Sequence, residues 1–317
     1  MKKLLAVLMS LIMVLSLAAC SSEGTTTKLR FVTGGESGTY YSFGSVLAQH
    51  ATNNAGIEVV GVVGNGSQKN VNELKDGTAE LAFCQSDVMA YAYSGTNLFD
   101  TAITNFSTVA ALYTEQVQIV TLDENIKTVA DLAGKKVSIG AAGSGVYFNA
   151  IDILGAYGLT ENDIQPTYQS FGDSADALKD GQIDAAFIVA GAPTTAVTDL
   201  STTKQVYLVA LDAEHVATLL ASSPYYAECT ISADTYSMPS DVTTVGVGAV
   251  VLVRNDVSED AVYAFVKDIF DNASSLVSTH AKYAELSLEY GSSITSVPYH
   301  AGAAKYFKEK GFDVYTK

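Results

Sequence analysis

An α/β fold of two lobes around a cleft is predicted by three features of the sequence. β-rich runs alternate with helical stretches from Lys28 onward, a second such series restarts after Leu122 with its own strand, glycine turn and helix, and a late β-rich run offers a return path to the first.

In the first series, Lys28 to Thr33 (KLRFVT), Gly56 to Val63 (GIEVVGVV), Ala79 to Cys84 (AELAFC), Val109 to Leu112 and Val117 to Leu122 read as short strands. Ser42 to Asn53 and Ser67 to Lys75 carry apolar residues at helical spacing between the first strands, which predicts crossover helices and a mostly parallel sheet. The second series places a short capped helix at Ile126 to Leu132, a strand at Lys136 to Gly140 and a helix at Val146 to Tyr157. A strand at Thr167 to Phe171, a helix at Ser174 to Asp180 and a buried strand at Ala185 to Ala190 follow. Thr243 to Val253 (TTVGVGAVVLV) is a long β-rich run, Ser258 to His280 an amphipathic helix capped by Ser258-Glu259-Asp260, and the chain ends in polar helical segments.

If Tyr113 to Leu122 leads out of the first lobe and the strand near Val245 leads back, two extended crossings join the lobes and make a hinge. This divides the chain into lobe I, residues 28–117 plus 246–317, and lobe II, residues 118–245. The alternative is one continuous open sheet; the restart of the second series argues against it.

Residues 1–19 form a lipoprotein signal peptide: Met1-Lys2-Lys3 is basic, Leu4 to Leu17 is apolar but shorter than the ~20 residues needed to span a bilayer, and Leu17-Ala18-Ala19-Cys20 is a lipobox. Cys20 would carry the lipid, and residues 20–27 a polar tether, which puts the chain outside the cytoplasm on the outer face of the membrane or on the periplasmic side of an envelope membrane. The remaining length suits two α/β lobes or one large one. A net charge of −16 argues against nucleic acid and against electrostatic adhesion to anionic lipid, so the lipid alone would anchor the protein, which is expected to be a monomer. Cys84 and Cys229 form no disulfide framework and are expected to be free thiols.

Val32 to Gly44 (VTGGESGTYYSFG) runs from a strand through a glycine turn into a helix, a layout that directs free N–H groups and the positive end of a helix dipole at a bound anion. It has neither the lysine of a P-loop nor dinucleotide-fingerprint spacing. Gly140 to Val146 (GAAGSGV) repeats the device, with Ser144 as the expected cap, and Gln85-Ser86-Asp87 is a third candidate in which Ser86 or Asp87 caps. Each alone fits capping as well as binding, but all three sit at C-terminal strand ends, where open α/β sheets place ligands.

Only Arg30 and Arg254 supply guanidinium groups, and neither lies in a glycine loop, so an anion would be held by backbone N–H groups, Ser37, Thr39, Ser144 and tyrosine hydroxyls. Asp87 and Glu115 either accept hydrogen bonds from a ligand ammonium or serve as a cap and a solvated loop charge. No catalytic constellation stands out: His50, His215, His280 and His300 lack a neighbouring nucleophile motif, and neither Ser67 nor Ser144 fits G-x-S-x-G. No zinc or EF-hand spacing is present, so neither metal nor cofactor is expected.

Taken together, the chain resembles the TAXI family of solute receptors for tripartite ATP-independent periplasmic (TRAP) transporters. The resemblance rests on GGESGTYYSFG (Gly34 to Gly44), NGSQKNVNELKDG (Asn65 to Gly77), FCQSDVMAYAYSG (Phe83 to Gly95), ALYTEQVQIV (Ala111 to Val120), TVADLAGKKVSIGAAGSGVYFNA (Thr128 to Ala150), ALKDGQIDAAFIVAGAP (Ala177 to Pro193) and TVGVGAVVLV (Thr244 to Val253). It implies a two-lobe, periplasmic-binding-protein-like fold of type II, no enzymatic activity, capture of glutamate or a related carboxylate, and delivery to a TRAP permease. It also implies a cleft lined by Gly38, Thr39 and Tyr40, by Gln85 and Asp87, by Tyr113 and Glu115, and by Ser144 and Gly145, with backbone contacts from Ala190 to Pro193 around Gly191. The lipobox departs from the many such receptors that are free in the periplasm. A lipoprotein receptor of an ABC importer for sulfonates, nitrate or thiamine precursors is the nearest alternative, and an extracytoplasmic hydrolase or transferase the alternative of another class.

Overall fold

The computed structural model describes residues 27–317; the leader, Cys20 and most of the tether lie outside them. The first series builds β1 (Lys28–Val32), α1 (Thr39–Asn54), β2 (Glu58–Val62), α2 (Ser67–Lys75), β3 (Leu81–Gln85), α3 (Ser86–Ser94) and β4 (Phe106–Thr121). The second builds β5 (Lys136–Ser138), α4 (Val146–Ala156), β6 (Gln165–Thr167), α5 (Phe171–Lys179), β7 (Ala185–Ala190), α6 (Thr195–Ser201), β8 (Tyr207–Leu208), α7 (Ala213–Ser222) and β9 (Ala227–Ile231). The chain then runs through β10 (Val242–Arg254), α8 (Glu259–Asp271) and α9 (Ala301–Glu309).

The strands follow the order β2-β1-β3-β10-β4-β7-β5-β6, with β8 beside β4 and β9 beside β10. Two long strands link the halves. β4 pairs with β10 over Phe106–Gln116 and with β7 over Gln116–Thr121, while β10 pairs with β3 over Ala249–Val253 and with β9 over Val242–Gly246. Each therefore belongs to one lobe along half its length and to the other along the rest, and the lobes meet through two crossings, as the fold class requires.

Four expectations need correction. Val109 to Leu112 and Val117 to Leu122 are one strand, β4; the polar stretch Thr114-Glu115-Gln116 reads as a break, yet it stays extended because it crosses between the lobes while paired to Gly246–Gly248. The sheet is parallel only at its two flanks, because β4 and β10 run antiparallel to each other and to β7 and β3. Of Thr167 to Phe171 only Thr167 is strand: Ser170 accepts a hydrogen bond from the Asp173 N–H and starts α5 at Phe171. The Ser258 to His280 helix stops at Asp271, where the Asn272 amide folds back onto the Asp268 carbonyl, and single turns follow.

Both faces of the sheet are covered. Phe31, Phe43, Phe83, Tyr113, Phe265 and Phe307 fill one side of the first lobe, and Val71, Leu74, Val88 and Phe106 the other. The second lobe packs Val137, Ile139, Ile153, Leu154 and Phe187 on one face and Leu178, Ile188, Leu200 and Tyr236 on the other. Burying each such side chain contributes roughly 1.5–3 kcal/mol. Cys84 and Cys229 are free. No described helix is long and apolar enough to cross a membrane, and no group of three or more metal-ligating side chains occurs among the described residues.

Candidate functional site

Between the lobes lies a cavity of about 120 Å³. The first lobe contributes the turn Gly34 to Tyr40, the turn Gly64 to Ser67, Gln85 and Glu115; the second contributes Ala141, Ser144 to Val146, Gln169 to Gly172, Val189 and Ala190. Four of these segments are strand-to-helix turns, so the N-termini of α1, α2, α4 and α5 converge on one space. The caps of three are glycines: Gly38, Gly66 and Gly145 provide no side chain to accept from the first-turn N–H groups of α1, α2 and α4. Elsewhere, α7 and α8 are capped by the side chains of Asp212 and Ser258. The first-turn N–H donors of α1, α2 and α4 therefore lack the side-chain acceptor found on those helices, whereas α5 is capped by Ser170, and together with the helix dipoles the three uncapped termini favour an anion.

Ser144 is buried, lines the cavity and has an Oγ with no hydrogen-bond partner. It does not cap α4 as expected, because the turn begins one residue later and Gly145 is the cap. Neither Ser86 nor Asp87 caps α3; that position falls to Gln85, and both residues lie inside the helix.

Glu115 stands where β4 crosses between the lobes. It is buried, and Oε1 accepts a hydrogen bond from the Tyr40 hydroxyl at 2.5 Å. Burial pushes its carboxyl well above the usual carboxylate range, against the pull of the Tyr40 bond; Asp87 adds to the rise and Lys282 opposes it. Among the described residues no lysine, arginine or histidine lines the cavity, and the ionisable carboxyls that do are Glu115 and the exposed Glu36 at the rim. Arg30 is tied to Glu73 and Thr78, and Arg254 to Asp256 and Glu80, away from the cleft.

Of the residues singled out from the sequence, Gly38, Thr39, Tyr40, Gln85, Glu115, Ser144 and Gly145 line the cavity, and Asp87, Tyr113 and Gly191 do not. Gly191 sits behind Thr39, whose Oγ1 donates to its carbonyl at 2.7 Å across the lobes. Tyr113 is buried against Phe43, with an unpartnered hydroxyl. Asp87 is sealed: Oδ1 accepts from the Val88 N–H and Oδ2 from Asn149 Nδ2 at 2.9 Å, so its carboxylate is committed to protein donors rather than to a ligand ammonium. Burial raises the Asp87 carboxyl to about 6, while these hydrogen bonds hold it down.

Sequence reasoning missed Asn65, Gly66, Ser67 and Gln169 to Gly172, although they occupy the same strand-to-helix position as the turns it chose. Outside the lining it also passed over Lys282, a buried lysine whose Nζ meets Glu285 Oε1 at 2.5 Å and whose Cε lies 2.8 Å from where a side chain on Gly191 would begin. No local pattern marks that residue.

Fold and cavity define an α/β protein of the periplasmic-binding-protein-like class. The chain belongs to the NMT1-like family, whose model matches residues 31–311. Solved structures with the same fold include a protein from Bordetella bronchiseptica RB50, 15% identical over 89% of each chain with a TM-score of 0.55. A Listeria monocytogenes protein assigned as an L-cystine ABC transporter is 15% identical, covers 86% of this chain and all 100% of its own, and has a TM-score of 0.51. A Salmonella typhimurium periplasmic binding protein described as highly specific for arginine is 14% identical over 82% of this chain and 99% of its own, with a TM-score of 0.50.

Proposed function

We propose that this protein is a non-enzymatic, extracytoplasmic solute receptor whose lobes close on a small organic anion, a carboxylate or an amino acid of glutamate type, and pass it to a membrane permease. The observation that carries this reading is the convergence of glycine-capped helix N-termini on a cavity with an unpartnered Ser144 hydroxyl and no cationic side chain. An anion there would be held by N–H groups and hydroxyls, and an ammonium group on the same solute would face Glu115. Closure follows if the solute contacts both lobes and so has differential affinity for the closed state.

A screen of carboxylates, amino acids, sulfonates and phosphate by thermal shift, followed by calorimetry on the hits, tests the reading. A true solute at about 100 times its dissociation constant adds roughly 2.7 kcal/mol of stability. Binding restricted to cations or uncharged sugars, or turnover of any bound compound, would refute it.

The resemblance to TAXI receptors supports a TRAP permease as recipient, whereas the fold shared with the L-cystine ABC transporter protein fits an ABC importer equally well. Uptake by vesicles carrying one permease or the other separates the two. Lipid anchoring is supported by the lipobox at Leu17 to Cys20. Cys20→Ser is expected to move the protein from the membrane fraction to the soluble one; an unchanged distribution would remove the anchor.

A further inference from the structure

Behind the Gln85 side of the cavity, groups from both lobes meet on one amide. Asn149, on α4 in the second lobe, is fully buried. Its Oδ1 accepts from Gln85 Nε2 at 2.8 Å, and its Nδ2 donates to Asp87 Oδ2 and to the Tyr226 hydroxyl, both at 2.9 Å. Gln85 and Asp87 belong to the first lobe. Tyr226, from the second, donates in turn to Asp152 Oδ2 at 2.9 Å. Both N–H donors and the carbonyl of the amide are thus in use.

The surroundings are shaped to let this junction form. A Cβ on Gly145 would lie 1.3 Å from Gln85 Oε1, so only glycine lets the Gln85 side chain reach Asn149. One residue before Asn149, Phe148 lies among first-lobe rings, with centroids 5.8 Å from Tyr91 and 6.4 Å from Phe99. A backbone bond from Lys69 N to the Gly143 carbonyl at 2.9 Å runs alongside.

We propose that Asn149 is a positioning residue that pins the second lobe against the first and sets the open–closed balance of the cleft, whatever solute the cavity takes. The proposal rests on the reading of the cleft as one that closes. When the lobes part, Gln85 and Asp87 exchange these bonds for water at little cost. When the amide is deleted while the lobes stay together, a buried carboxylate loses a donor, which is expensive. Deletion therefore favours the open form.

The titratable groups bonded to Asn149 are Asp87 of α3 and Tyr226 before β9; Asp152 on its own helix is reached through Tyr226, and Tyr91, Cys84, Tyr225 and Glu115 are close enough to Asp87 to influence it. None is a cation. Asn149→Asp would set a second carboxylate against Asp87: ionised together they repel, whereas sharing one proton they restore a hydrogen bond across the lobes.

Small-angle scattering of the full chain at pH 5 and pH 8, with no solute added, tests the pin. Asn149→Ala is expected to raise the radius of gyration above that of the wild type at both pH values. Asn149→Asp should raise it at pH 8 and return it to the wild-type value at pH 5, a reversal that a purely structural defect would not give. Identical radii for all three proteins, or an Asn149→Asp variant indifferent to pH, overturns the proposal. Should the Asn149 variants lose cooperative melting, Gln85→Leu takes their place, since it removes the first-lobe donor to Asn149 Oδ1 at similar side-chain size; an unchanged radius then overturns the proposal and a raised one supports it. Because no solute takes part, a fruitless solute screen refutes the receptor reading without touching this result, and the converse also holds.

Discussion

Ser144, in the wall of the cleft, carries a hydroxyl that the fold buries and leaves without a partner. A buried polar group in that state costs the folded protein about 1–3 kcal/mol, so its retention needs a compensating use. A ligand acceptor supplies one. Ser144→Ala is expected to leave the melting temperature unchanged or slightly raised, and to weaken solute binding about 3- to 10-fold, the worth of one hydrogen bond of about 0.5–1.5 kcal/mol. Loss of stability without loss of affinity, read by calorimetry and thermal melting, would make the hydroxyl structural. The sequence shows a serine flanked by glycines, but whether it caps or lines depends on which residue opens the helix, a shift of one position that composition does not encode. Asp87 teaches the same lesson from the other side. Its place at the end of a strand suggests a ligand contact, yet its fate is decided by Asn149, 62 residues away.

At the level of elements, the strand-turn-helix units were legible because glycine turns at C-terminal strand ends have a local signature. The turns opening α1 and α4 stood out for that reason, and α2 and α5 complete the set once the sheet brings them together. The continuity of β4 was not legible: polar residues inside a strand look like its end unless the cleft that receives them is known. The glycines at these turns differ in what they do. Gly66 adopts φ +104°, which side chains rarely tolerate, so its role is conformational. Gly145 has φ −74°, an ordinary value, and is constrained by first-lobe side chains instead, by Gln85 above all and by Ser67 Oγ, 2.9 Å from where a Cβ would lie. Gly145→Ala should therefore leave each lobe folded, with a melting temperature within a few degrees of the wild type. It should also weaken solute binding at least tenfold, since Gln85 must vacate its position before the cleft can close. Wild-type affinity in this variant would show that closure does not bring Gln85 and Gly145 together.

For the whole molecule, charge and burial together set the response to pH. The chain carries a net charge of −16, and it buries Asp87 and Glu115 with carboxyls pushed upward. Asp87 ionises near 3.8 when unfolded and at about 6 when folded, so between these values the folded state binds more protons than the unfolded one. Stability accordingly falls as pH rises through that window, by up to about 3 kcal/mol for a shift of this size. Glu115 acts in the same direction, because its carboxyl also lies above its unfolded value. The exposed pairs work oppositely. Asp212, held to about 2 by the hydrogen bond from His215, and Asp271, held to about 2 by Lys267, Lys310 and Tyr306 against burial, favour folding above the unfolded pKa and lose that contribution as pH falls toward 2. Both are well solvated, so the buried acids outweigh them. The optimum should thus lie at about pH 4–5, between the loss of surface pairs below and the cost of ionising Asp87 and Glu115 above. Urea denaturation from pH 3 to pH 8 measures this directly: a midpoint highest near pH 4–5 and declining toward pH 8 is expected. A midpoint that climbs steadily to pH 7 would mean that neither buried carboxyl gains its proton more readily in the folded protein than in the unfolded chain.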